Sequence, residues 1–430
     1  MPSRVECSHA AIDVRPSRPT PDSMPDQPVT PMISAAEAEQ LIRGHGVEFA
    51  ATVQSLDLAA GCILRQSIVA ERDQPPFDRV TMDGIAVRYD DFSRGTRRFD
   101  VVGLQAAGMA PVSMDQADAC IEVMTGAVMP AGCDTVIAVE QTRRDRSQLV
   151  VAADYAPQRG QFIHRRGSDC RAGETLIKAG ARLRAPEIAV IAANGYGAVA
   201  VSAQPRVTIL ATGDELVDVD AAVAEWQIRR SNDRALAALL ASRGLDEVKL
   251  AHVSDEREVL KTTVAEQLQT RDVLILSGGV SMGQRDFVPG VLAELGVQRI
   301  FHKIAQRPGK PMWFGVGPQG QMVFALPGNP VSVLVCATRY VMPALLGAMG
   351  HAPPPLTRVA LAAPVDFAGA LTYFVPVRMQ PDANGMPVAM PVPPPTSGDF
   401  SALTQTDGFV ELPPEKSHFP AGFIATYYPW

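Results

Sequence analysis

Four acids in this 430-residue chain, Asp214, Glu215, Asp255 and Asp286, follow three different strand-like or turn-like elements that a sheet would bring to one edge. Hard cations such as Mg²⁺ take oxygen ligands, usually one or two carboxylates completed by water and substrate phosphate. Singly, each acid is what any surface loop carries; as a converging set they read as candidate metal ligands. The segment His302-Lys303-Ile304-Ala305-Gln306-Arg307-Pro308-Gly309-Lys310-Pro311 adds the permanent cations Lys303, Arg307 and Lys310. Its Pro-Gly turn would hold Arg307 and Lys310 together. Arginine binds oxyanions as a planar fork and lysine as a point charge, so cations beside carboxylates suit a site that handles a metal and an anion together. Two turns, Ser277-Gly278-Gly279-Val280-Ser281 and Pro327-Gly328-Asn329-Pro330, could present backbone N–H groups to an anion or simply reverse the chain. Asp255-x-x-Glu258 also reads as a helix cap, and Asn329-Pro330 as a cap followed by proline at the first helical position.

A second group of loops is dense in polar function. It comprises Phe77-Asp78-Arg79-Val80-Thr81-Met82-Asp83-Gly84, Met124-Thr125-Gly126-Ala127 with Glu140, and His164-Arg165-Arg166-Gly167-Ser168-Asp169. Taken singly, each suits a structural loop. The chain has no Ser/His/Asp triad, Walker loop or H-E-x-x-H, and 7 scattered histidines argue against a His-based transition-metal site.

The elements that must position these groups follow from hydropathy. Apolar runs over 207–210, 248–253, 273–276 and 322–326 read as strands. Residues 232–244 and 255–268 read as helices, the second with Val259, Leu260, Val264 and Leu268 on one face, and a helix follows Pro330. The alternation predicts an α/β layer on a mainly parallel sheet over 205–350. Ligands of such sheets bind beyond the carboxyl ends of the strands, at a topological switch point. Thr212-Gly213-Asp214-Glu215-Leu216 and both glycine turns fall there. Residues 57–159 alternate short β-branched runs with Gly and Pro turns, a β-rich module. The flanking segments 32–56 and 160–204 hold a helix opening with the Ser34/Glu37 capping-box spacing and a second helix over 185–193. They are expected to pack together, making 57–159 an insertion. A proline linker at 353–355 leads into 356–430, whose short strands and many prolines predict a small β-barrel or sandwich.

Length predicts two to four domains, with ample core in the absence of disulfides or a structural metal. A formal net charge of −7 argues against a general nucleic-acid binder. The 6 cysteines form no C-x-x-C pair, which excludes a zinc ribbon or iron–sulfur signature and fits a reducing compartment. Residues 1–31 are proline-rich without an apolar run, a disordered tail rather than a signal peptide. Residues 331–349 are the most membrane-like stretch, but Arg339 and Pro343 interrupt it and it reads as a buried helix. A cytoplasmic protein with no membrane or nucleic-acid partner is expected.

Seven motifs, in order, resemble the molybdopterin molybdenumtransferases and the related E domain of gephyrin. They are Thr81-Met82-Asp83-Gly84, Met124-Thr125-Gly126, Arg166-Gly167-Ser168-Asp169, Thr212-Gly213-Asp214-Glu215-Leu216, Ser277-Gly278-Gly279-Val280-Ser281, Arg307-Pro308-Gly309-Lys310-Pro311 and Pro327-Gly328-Asn329-Pro330. The resemblance spans about residues 32–430. It implies an elongated linker domain (32–56 and 160–204), an inserted β-rich domain (57–159), a three-layer α/β domain like that of molybdopterin adenylyltransferases (205–350) and a C-terminal β-barrel (356–430). It also implies a homodimer whose cleft lies between the α/β domain of one subunit and the inserted domain of the other. Asp83 and Thr125 of one chain would then meet Glu215 and Asp286 of its partner. The implied reaction inserts molybdenum from molybdate at the dithiolene of adenylylated molybdopterin and cleaves the phosphoanhydride to release AMP, assisted by Mg²⁺.

In that reaction Asp214, Glu215, Asp255 and Asp286 would hold Mg²⁺, and Lys303, Arg307 and Lys310 would neutralise molybdate and the leaving phosphate. Thr212, Gly213, Ser231, Asn232, Ser277, Gly278, Gly279, Ser281, Pro327, Gly328 and Asn329 would cradle phosphate or pterin. Asp83, Thr125 and Asp169 would orient the attacking or leaving oxygens. The sulfur nucleophiles belong to the substrate, so no catalytic cysteine is needed. The chain departs from the family pattern at Thr81 (commonly Ser), Ile85 (an aromatic), Arg307 (often Lys) and Arg230 (commonly Asp before Ser231-Asn232). It also lacks an arginine often found after Phe374, for which Arg378 or Ser397 could serve. The resemblance leaves two alternatives: a molybdopterin adenylyltransferase, or a non-catalytic molybdopterin-binding scaffold. Molybdopterin adenylyltransferase and molybdoenzyme acceptors are the partners it implies.

Overall fold

A computed structural model of the chain describes residues 32–280, 286–353 and 355–430. The tail expected over 1–31 and the candidate Ser281 lie outside the described residues. The α/β domain is built on a six-stranded sheet in the order Val248–Val253, Val207–Thr212, Val273–Ser277, Met322–Leu326, Trp313–Val316 and Gln298–His302. The first four strands are parallel, and the last two run antiparallel to their neighbours. Side chains alternate between faces, as strand geometry requires. Val207, Ile209, Ile275 and Phe324 enter one core with Leu236 and Leu240. Leu210, Leu274, Leu276 and Val323 enter the other with Leu260, Val264 and Val291. Helices Asn232–Ala241 and Pro330–Cys336 thus cover one face, and Arg257–Thr270 and Val288–Glu294 the other.

The chain leaves Val207–Thr212 for the strand on one side of it and returns to the strand on the other side. The carboxyl ends of Val207–Thr212 and Val273–Ser277 therefore flank a switch point. Pro330–Ala348 forms one nearly continuous helix, long and apolar enough to cross a membrane, but 72% of its apolar window is buried inside the protein. Arg339, at its π-helical turn, pairs with Glu39 (2.8 Å) and Glu411 (3.0 Å), tying the N-terminal helix and the barrel to the α/β domain.

The helix Ala35–Gly44 has the expected capping box. Its buried Ala35, Ala38 and Ile42 join the α/β core, so this part of 32–56 packs on the α/β domain rather than with 160–204. Strand Ala51–Ser55 does pair with Ala198–Ser202. The inserted sheet comprises Thr135–Ala138, Gly84–Val87, Ala119–Val123, Arg98–Gln105, Gln148–Val151 and Thr142–Asp145, in that order. Ile68–Val69 instead pairs with Thr175–Ile177, and Gln74 bridges Cys170. The boundary at residue 57 is therefore corrected: 57–75 belong with the linker segment, where two-residue strands leave no periodic signal. In the C-terminal domain Thr372–Pro381 is a long strand that pairs with both Pro387–Pro391 and Gly408–Leu412. Those two connect through Arg358–Leu361 and Ile424–Pro429. The ring closes as a five-stranded barrel.

Candidate active site

A cleft of about 1170 Å³ opens at the switch point, between the α/β domain and the barrel. Its floor is the pair of strand ends. Thr212 and Gly213 follow one strand, and Ser277, Gly278 and Gly279 end the other. Gly278 lies at φ 101°, and a Cβ there would come within 2.7 Å of the Thr212 carbonyl oxygen. Only glycine lets the two turns approach this closely. The Thr212 hydroxyl is buried and has no hydrogen-bond partner among the described residues. A buried orphan donor at a strand end is the feature a ligand oxygen would satisfy.

Glu215, Asp255 and Asp286 line the acidic wall. The Asp255 carboxyl is held above its ordinary range, chiefly by burial and then by Asp214, Glu215 and Asp286. Asp255 is not the helix cap: Glu256 occupies that position, and the Asp255 N–H donates to Asp214 Oδ1 (2.9 Å). Asp214 is absent from the cleft lining and braces the Asp255 loop from behind. Among the described residues no three His, Cys, Asp or Glu side chains form a ready-made metal cage.

Arg307 and Lys310 also line the cleft, and both are exposed. Lys303 does not line the cleft; it is half-buried at φ 74°, with its N–H donating to Met312 O (2.9 Å). A further wall is Ser231, Asn232, Pro327, Gly328, Asn329 and Ser397. Asn232 Nδ2 donates to Ser277 Oγ (3.1 Å) and Gly328 O (2.7 Å), locking the helix start to both glycine turns. Asn329 occupies the cap position without a side-chain capping bond. Its Nδ2 donates to Ser397 Oγ (2.7 Å) in the barrel instead. Of the two substitutes for the missing arginine, Ser397 faces the cleft and Arg378 does not.

Sequence reasoning missed Gln306, Ser332 and Phe400, which also line the cleft. Arg230 lines it too, with its guanidinium pairing Asp218 (2.6 Å); Arg234 bridges Asp218 (3.0 Å) and the buried Asp233 (2.9 Å). The two arginines are matched by two carboxylates, so Arg230 adds no net positive charge to the wall.

Asp83 and Thr125 lie on the inserted domain and Asp169 on the linker segment, and none of the three lines this cleft. Asp83 Oδ1 accepts the Thr125 N–H (2.6 Å) and hydroxyl (2.8 Å). These two bonds hold the Asp83 carboxyl below its ordinary range. Asp169 Oδ1 lies 2.7 Å from His164 Nε2.

Residues 33–195 match the MoeA N-terminal region (domain I and II), residues 208–347 the probable molybdopterin binding domain, and residues 358–430 the MoeA C-terminal region (domain IV). A molybdopterin molybdenumtransferase of Synechocystis sp. is 38% identical over 93% of this chain and 100% of its own length. One from Haemophilus influenzae is 32% identical over 87% of this chain and 93% of its own. The crystal structure of a molybdopterin biosynthesis moeA protein from Pyrococcus horikoshii superimposes with a TM-score of 0.77 at 28% identity, covering 93% of this chain and 99% of that one.

Proposed function

The chain belongs to the molybdopterin molybdenumtransferase family, and we propose that it is the enzyme that inserts molybdenum from molybdate into adenylylated molybdopterin, releasing AMP. The observation that carries this reading is a single cleft at the switch point lined by Glu215, Asp255 and Asp286 together with Arg307 and Lys310. Arg307 and Lys310 hold the oxyanion and neutralise charge that grows on the leaving phosphate. The orphan Thr212 hydroxyl and the Gly278-Gly279 turn take phosphate oxygens. Asn329 and Ser397 join the α/β domain to the C-terminal domain along that wall. Mg²⁺, held by Asp255 with Glu215 or Asp286, would supply charge neutralisation at the phosphoanhydride. Asp83 and Asp169 serve from a second subunit: the working form is a cytoplasmic homodimer, and the inserted domain of one chain closes the cleft of the other.

A single-turnover assay with adenylylated molybdopterin and Mg²⁺, with and without molybdate, tests the reading. AMP released only when molybdate is present, with a product that activates a cofactor-free molybdoenzyme, is expected. Tight binding without AMP release would mean a scaffold. Formation of the adenylylated compound from ATP and molybdopterin would mean an adenylyltransferase.

A further inference from the structure

His164 ends the short strand Ile163–His164, directly opposite Arg79 in the antiparallel register. Arg79 Nη2 lies 3.0 Å from His164 Nδ1, and His164 Nε2 lies 2.7 Å from Asp169 Oδ1. A guanidinium has donors only and does not deprotonate in proteins. The ring nitrogen that faces it must therefore accept. That places the lone pair on Nδ1, and the single ring proton of neutral imidazole falls on Nε2, aimed at Asp169. The order of the chain is thus fixed by chemistry: Arg79 N–H to Nδ1, then Nε2–H to the carboxylate.

The other charges of this loop are committed elsewhere. Arg165 pairs with Asp78, whose Oδ1 also accepts the Arg166 N–H (2.9 Å), and Arg166 Nε donates to Asp73 (2.8 Å). Ser168 Oγ adds only a long contact of 3.4 Å to Asp169. Asp169 itself is half exposed, at 54%. An arginine placed directly on Asp169 would cancel its charge. A neutral imidazole in between hands on orientation and leaves the charge available.

We propose that His164 is a positioning residue that holds Asp169 as an oriented, ionised carboxylate, with Arg79 setting the histidine tautomer. This rests on the functional reading above only in giving Asp169 a part in turnover.

Long-range ¹⁵N–¹H spectra of histidine-labelled full-length protein read the tautomer without any substrate. Wild type should show His164 protonated at Nε2 and bare at Nδ1. Arg79→Met frees Nδ1 while Asp169 still accepts from Nε2–H, so it should populate the ring protonated at both nitrogens. His164 found protonated at Nδ1 in wild type, or unchanged by Arg79→Met, overturns the proposal. In the AMP-release assay His164→Ala should slow turnover about 10- to 100-fold, the worth of a hydrogen bond to a charged group. His164→Gln, whose amide N–H can replace Nε2–H, should recover to within about threefold of wild type. Equal activity of wild type and His164→Ala, or equal loss in the Ala and Gln variants at unchanged melting temperature, would also overturn it. If wild type releases no AMP, the functional reading fails, and the spectra still decide the Arg79–His164–Asp169 order.

Discussion

In the α/β cleft the candidate acids crowd one another, whereas in the inserted domain Asp83 is braced by donors. Asp255 is pushed above its ordinary range by burial and by three neighbouring carboxylates. Asp83 is pulled below it by the Thr125 N–H and hydroxyl. The first arrangement disfavours the charged form of its carboxyl, and the second favours it. In the function proposed above, dependence on a divalent ion would belong to the cleft, and the inserted domain would contribute a preformed carboxylate, Asp83. Position follows the same division. The cleft groups hang from the ends of parallel strands, where the fold directs ligands. The inserted-domain groups sit on loops outside the cleft of their own chain.

The largest expected effect breaks the cleft side. Asp286→Ala should cut AMP release about 10²- to 10³-fold with the circular dichroism spectrum unchanged, because the residue is a half-buried loop position. Unchanged single-turnover rates would remove Asp286 from the site. A smaller effect is expected on the braced side. Thr125→Val deletes the hydroxyl bond to Asp83 but keeps the backbone N–H, so turnover should fall about tenfold. A fall as steep as that of Asp286→Ala would show that the hydroxyl itself touches substrate.

The smallest effect sharpens the electrostatic contrast. A carboxyl whose folded pKa is raised stabilises the fold below its unfolded value, and that contribution is lost as pH rises through the folded value. For Asp255 that window starts near the ordinary carboxylate pKa of about 3.9 and extends upward. Asp255→Asn should therefore melt about 1 °C higher than wild type at neutral pH without divalent ions. It should also lose most of the rise in melting temperature that millimolar Mg²⁺ gives wild type. An identical Mg²⁺ shift in both proteins would count against Asp255 as a ligand.

Much of the α/β domain was readable because its strands are uninterrupted apolar runs and its helices show clear periodicity. Residues 248–253 and 322–326 read as strands and fold as Val248–Val253 and Met322–Leu326. The switch-point rule then led to Thr212, Gly278 and Gly328 with no further information. Other features depend on contacts far apart in sequence. Asp255 looked like a cap because Glu258 has the right spacing, yet its N–H is taken by Asp214 from another loop. Asn329 takes the cap position the sequence indicated, but its amide is spent on Ser397, 68 residues on. The edge of the insertion was hidden because Ile68–Val69 and Thr175–Ile177 are too short to show a period. Arg230 stands where the family commonly has Asp, and its pairing with Asp218, twelve residues earlier, was not legible in the sequence.

The most direct test of the two-region account is subunit mixing. Asp83→Ala and Asp286→Ala proteins are each expected to be inactive. Exchanged at equal concentration, half of the dimers become mixed, and each mixed dimer has one cleft with both residues intact. About a quarter of wild-type AMP release should return. No recovery, with subunit exchange demonstrated by native mass spectrometry, would contradict a cleft shared between chains.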